Sequence, residues 1–88
     1  MDRGNRLKRL KFRSWHRGTR EADMMIGGFF DTYAERWNDA EIDWFEVFLE
    51  EQDVDIMAWA LGTQIVPAQF DGALMTAFRR LDYLTLPN

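Results

Sequence analysis

Between Ala22 and Trp37 the apolar side chains fall at Ala22, Met25, Ile26, Phe29, Phe30, Tyr33 and Trp37. Steps of three and four residues put all of them on one face of a helix, and a face that apolar must be buried. Nowhere does the chain alternate apolar and polar residues with β-branched enrichment; it has three valines and four isoleucines. The pattern predicts an all-α fold without strands. At 88 residues the chain supports one small domain, 1–88, since domains commonly run to roughly 100–150 residues. Four tryptophans and seven phenylalanines supply its core, each able to bury about 150–250 Å². That content argues against disorder.

The periodicity divides into five helices. The first spans roughly 5–16, with Leu7, Leu10 and Phe12 apolar among basic residues, and Gly18 breaks it. The second runs from about Thr19 to Arg36. Gly27-Gly28 lies inside it at about 1 kcal/mol per glycine relative to alanine, which a close helix contact or a kink would explain. A phosphate cradle fits less well, because no strand precedes the pair and no G-x-G-x-x-G is formed. Asn38 and Glu41 have the spacing of a capping box, opening a third helix to about Gln52. Ile42, Phe45, Phe48 and Leu49 face inward there, with Trp44 and Val47 on a second contacted flank. Asp53 can cap a short fourth helix that Gly62 stops. Thr63 to Val66 reads as a loop. Pro67 suits the first position of the last helix, whose stripe is Phe70, Leu74, Ala77, Phe78 and Leu81. Leu84 to Asn88 is a tail. The expected architecture is a compact five-helix bundle, monomeric when free.

Several chemistries are excluded. With no cysteine there is no disulfide framework, thiolate metal site or thiol nucleophile, and a reducing cytoplasm is expected. No apolar stretch approaches the roughly 20 residues of a membrane span, and the basic start lacks the apolar segment of a secretory signal. His16 is the one histidine; among arginines it reads as a solvated surface residue rather than a metal ligand or general base. Glu50, Glu51, Asp53 and Asp55 form an acidic cluster, but Met57 and Ala58 end the calcium-loop spacing that Asp53-Val54-Asp55 begins, so capping and solvation are expected.

Charge is strongly polarised along the chain. Residues 1–20 carry Arg3, Arg6, Lys8, Arg9, Lys11, Arg13, Arg17 and Arg20 against Asp2 alone, while the remainder sets Arg36, Arg79 and Arg80 against fourteen acids. A basic helix bearing Phe12 and Trp15 could hold nucleic acid through phosphate contacts and stacking. The acidic remainder would repel a duplex lying along it. An acidic protein surface, or the chain's own acids, is the better partner for that helix.

The break at Gly18 concentrates the remaining signal. In a structural reading, Gly18 separates two helices, Glu21 favours the N-terminus of the second, and Arg17 pairs locally with Glu21. Yet Arg13, Arg17, Arg20 and Glu21 crowd one turn, more charge than capping requires. A desolvated arginine–carboxylate contact across an interface is worth about 2–5 kcal/mol by truncation, so the corner is also a candidate docking surface.

Arg17-Gly18-x-x-Glu21, followed by Asp23 and an apolar helix reaching Phe29-Phe30, resembles the R-G-x-x-E motif of the succinate dehydrogenase FAD assembly factors, the SdhE type. The segment Glu50-Glu51-Gln52-Asp53-Val54-Asp55-Ile56-Met57-Ala58-Trp59 is similar to that family's L-L-E-x-x-D-P-D-L-x-x-W run. The likeness covers roughly residues 10–62. His16, Ala22 and Val54 depart from residues common there, namely arginine, leucine and proline. The resemblance implies a small helical protein that binds the flavoprotein subunit of succinate dehydrogenase or fumarate reductase and promotes covalent attachment of FAD to one of its histidines. It implies a partner-facing surface at Arg17, Gly18 and Glu21, with Arg13, Arg20 and Asp23 beside them. FAD would belong to the partner, with none bound stably here. Without a triad, metal set or dinucleotide loop, the chain reads as a helper rather than an enzyme, with no nucleic acid expected.

Overall fold

The computed structural model describes residues 2–84 and bears out the all-α expectation: five α-helices and, among the described residues, no strand. They are α1 (Arg3–Trp15), α2 (Arg20–Tyr33), α3 (Asp39–Phe48), α4 (Asp53–Leu61) and α5 (Ala73–Arg80), with a 3-10 turn at Ala34–Arg36. The caps explain most starts. Asp2 accepts from the Asn5 amide, Thr19 from the Ala22 amide, and Asn38 with Glu41 closes the expected capping box. Gly62 ends α4 in the left-handed conformation at φ 79°.

Phe29 lies at the centre of the core, fully buried, with the rings of Tyr33, Trp37, Phe45, Phe78 and Tyr83 all centred 5.3–6.1 Å away. A second aromatic nest surrounds Phe48, built from Trp44, Trp59, Phe70 and Phe78. Phe78 joins the two, 5.3 Å from both Phe29 and Phe48.

Gly27 is small because α1 needs the space. A Cβ there would come 2.4 Å from Cδ2 of Trp15, so the α1–α2 crossing depends on that bare backbone. Asp31, one turn on, accepts from the Trp15 indole N–H at 3.2 Å and from Lys11 at 3.1 Å. The glycine pair thus marks a close contact, as its position suggested.

Four boundaries differ from expectation. α2 tightens into the 3-10 turn after Tyr33, which carries Trp37 inward to 5% exposure. α3 stops at Phe48 rather than near Gln52: the Glu50 and Glu51 amides donate three residues back, to the Val47 and Phe48 carbonyls, in a tight turn, and Arg17 takes the Leu49 and Glu51 carbonyls that the turn presents. Asp53 does not cap α4: Gln52 holds that position without a side-chain bond, and the Asp53 carboxylate faces α1. Pro67 opens a single turn, not α5. Phe70 reaches the core from that turn, and Gly72 at φ 151° resets the chain before α5 begins. Val47 is half exposed at 51%, so the second flank of α3 rests on Trp44 alone. Of the expected tail, residues 85–88 lie outside the described residues.

Gly27→Ala is expected to destabilise the fold by about 1–3 kcal/mol through overpacking against Trp15. Gly28→Ala meets Tyr83 only at 3.4 Å and is expected to be neutral or stabilising by up to about 1 kcal/mol; urea unfolding of the pair checks the contrast. Burial, with Asp82 and Tyr33 adding to it, holds the Tyr83 phenol well above its usual range. Because the folded value exceeds the unfolded one, this contribution is complete below about pH 10 and declines as pH rises toward the folded value. Alkaline unfolding should therefore show a shallower pH slope in Tyr83→Phe.

Candidate functional site

The corner between α1 and α2 is set by backbone first. Gly18 has φ 118°, a conformation that side chains rarely adopt, although no heavy atom lies within 4 Å of where a Cβ would stand. Glycine is required here by torsion, whereas at Gly27 it is required by space. The Asp23 carboxylate reaches back to accept the Arg17 amide at 2.6 Å, which ties the first turn of α2 to the end of α1.

The Arg17 side chain then leaves the corner entirely. Its Nε donates to Asp53 Oδ1 at 2.8 Å, Nη1 to the Leu49 carbonyl at 2.9 Å and Nη2 to the Glu51 carbonyl at 3.0 Å. Only 11% of the side chain is exposed. A guanidinium suits this position because its planar fork can serve a carboxylate and two carbonyls at once. One helical turn earlier, Arg13 donates to Glu50 at 2.9 Å. Arg13 of α1 and Arg17, just past its end, therefore clamp the α3–α4 turn.

The local Arg17–Glu21 pair of the structural reading does not form, since the guanidinium is engaged by Asp53. The six corner residues divide into two groups. Arg13, Arg17 and Asp23 are half-buried and bonded within the fold; Gly18, Arg20 and Glu21 are exposed. Sequence reasoning missed Asp53 and Glu50 as members of this site, having given them capping and solvated roles. They lie 36 and 37 residues from their arginines, and no local spacing rule reaches that far. The one available signal was that both resembling segments occur in one chain.

His16 is exposed as expected; its imidazole stacks on Phe12, and its Nδ1 lies 2.7 Å from the Phe12 carbonyl oxygen. Among the described residues no group of three or more His, Asp or Glu side chains is arranged to hold a metal ion, and no helix is long and apolar enough to cross a membrane. The corner is thus a firmly braced surface with a bare backbone at its apex. Its features suit recognition of another surface.

Sequence comparison shows the family. The family model described as the flavinator of succinate dehydrogenase matches residues 8–82. The chain belongs to this family. The match runs past Gly62, where the motif likeness ended, and so takes in α5 and Phe78. The FAD assembly factor SdhE of Acetobacter pasteurianus is 39% identical over 64 residues, covering 73% of this chain and 59% of that protein. The mitochondrial succinate dehydrogenase assembly factor 2 of Mycosarcoma maydis is 32% identical over 75 residues, 85% of this chain and 32% of its own. Its namesake in Saccharomyces cerevisiae is 36% identical over 52 residues, 59% and 32% respectively. This chain therefore spans 59% of the bacterial relative's length and 32% of each fungal one.

Asp53→Ala strands the half-buried Arg17 charge and is expected to cost about 1–3 kcal/mol of stability. Glu50→Ala breaks a pair whose carboxylate is 70% exposed and should cost under about 1 kcal/mol. Chemical denaturation of the two variants measures the difference; equal losses would contradict the ranking.

Proposed function

We propose that this chain is an assembly factor that binds the flavoprotein subunit of succinate dehydrogenase, or of fumarate reductase, and promotes covalent attachment of FAD to it. Family membership supports the reading, together with the names of its bacterial and mitochondrial relatives. The observation that carries it in the fold is the corner. Arg17, Asp53 and Asp23 hold it from within, and Gly18, Arg20 and Glu21 are left facing solvent.

In this reading Arg17 acts as a positioning residue. Its charge is satisfied inside the protein, so the partner meets the Gly18 backbone flanked by Arg20 and Glu21. A bare backbone permits close approach, and opposite charges fix the register. The helper would bind one conformation of the flavoprotein better than others, holding flavin and acceptor histidine in reactive alignment. Differential affinity is essential, because a helper that binds every conformation equally shifts nothing. FAD belongs to the partner, the helper performs no chemistry of its own, and the two meet in the bacterial cytoplasm.

Binding of nucleic acid finds less support. Arg6, Lys11, Arg13 and Arg17 each pair with a carboxylate of the chain itself. That leaves a thinner positive strip than the sequence suggested.

Complementation in cells lacking the factor tests the reading, with in-gel flavin fluorescence on the captured flavoprotein subunit. Glu21→Ala and Arg20→Ala are expected to lower covalent flavin several-fold, with helix content and melting unchanged. Normal flavin in both variants would remove the corner from the mechanism.

A further inference from the structure

The side chains of α1 and of His16 and Arg17 just after it sort into three directions. Leu10 and Ser14 are buried, and Leu7 packs against the core. Arg6, Arg13 and Arg17 reach α3, α4 and the turn between them. Lys8, Arg9, Phe12 and His16 remain on the outer face, all exposed. Phe12 is 63% exposed, the one aromatic among the large exposed hydrophobics of the described residues; the others are Val47, Val54, Leu61 and Ile65.

A single exposed aliphatic residue needs no explanation. Phe12 differs in how it is held. Its ring stacks on the His16 imidazole with centroids 3.9 Å apart and planes 17° from parallel. The imidazole is fixed in turn by its Nδ1 contact with the Phe12 carbonyl. Lys8, Arg9 and Arg13 lie beside the ring on the same open face. An aromatic side chain already fixed in one rotamer loses little freedom on binding, and a large ring within a polar rim has the make-up of an interface hot spot.

We propose that the outer face of α1 is a second docking surface, with Phe12, braced by His16, as the anchor for an acidic protein surface that carries an apolar hollow. The proposal rests on the assembly-factor reading, which makes that surface part of the flavoprotein subunit. Charge selects the partner's chemistry, because the rim is cationic. Width argues against a nucleic-acid backbone. Asp43, Glu46 and Glu50 flank the helix through their pairs with Arg6 and Arg13, and Asp31 flanks it through Lys11. The positive strip is narrow enough for a local acidic patch, and a continuous phosphate chain would run into those carboxylates. His16, which braces the anchor, also caps α1 two residues before Gly18.

Binding of the purified apo-flavoprotein subunit to the full chain, followed by calorimetry at low and high salt, tests this. Phe12→Ser is expected to weaken affinity by about tenfold or more, with helix content and melting unchanged. Lys8→Glu should also weaken it, by a margin that shrinks as salt rises. Ile65→Ser, at a side chain 94% exposed and away from the cations, should bind as the parent does. Parent-like binding by Phe12→Ser while Glu21→Ala binds poorly would overturn the anchor and leave the assembly-factor reading intact. No binding by the parent chain would overturn both. Equal losses in Phe12→Ser and Ile65→Ser would show generic apolar adhesion and overturn the anchor. So would binding of single-stranded RNA that is lost in Phe12→Ser while flavoprotein binding is unchanged.

Discussion

One guanidinium holds the arrangement of helices together. The Arg17 side chain satisfies two carbonyls at the end of α3 and the carboxylate that opens α4, groups that would otherwise be left without partners at a helix–helix turn. Its own amide is held by Asp23 at the start of α2. Four helices therefore meet at one residue. Because the charge is mostly shielded from solvent, its bonds are stronger than surface pairs, and losing any partner leaves a desolvated charge.

The same device recurs at the other end of α1. Arg3 donates to the carbonyl of Trp37 at 2.8 Å and to that of Glu35 at 3.3 Å, where the 3-10 turn ends. Between the two, Arg6 and Arg13 pair with acids of α3 and the turn after it. The charge polarity of the sequence is thus largely an internal matter: a basic strap closes over an acidic frame. These internal pairs narrow the positive strip that α1 shows to solvent.

Much of this was legible beforehand. The helical face of α2 read true because periodicity is local, and the Asn38–Glu41 box and the Gly62 stop read true because caps are local. Gly27 announced a close contact, though not that Trp15 would make it. The end of α3, the start of α5 and the role of Asp53 were not legible. Each is decided by a residue distant in sequence or by a turn whose geometry the composition of Pro67–Gly72 does not specify. Arg17 shows the limit most clearly. Its nearest opposite charge along the chain is Glu21, yet it chooses Asp53, because only Asp53 comes with two unpaired carbonyls beside it. The corner residues could be named from the sequence, but not which of them turn inward: Arg13, Arg17 and Asp23 are bonded within the fold, while Gly18, Arg20 and Glu21 are exposed.

The distance along the chain between Arg17 and its acceptors has a consequence for biosynthesis. The strap emerges from the ribosome first, but the residues it fastens to follow 32–36 positions later. Until Asp53 has been made, the Gly18 turn and its Asp23 tie can form locally, but the Arg17 side chain has nothing to fasten to. The brace that Arg17 provides can therefore form only after α3 and the start of α4 are in place, so the order of synthesis fixes the order in which this frame is fastened.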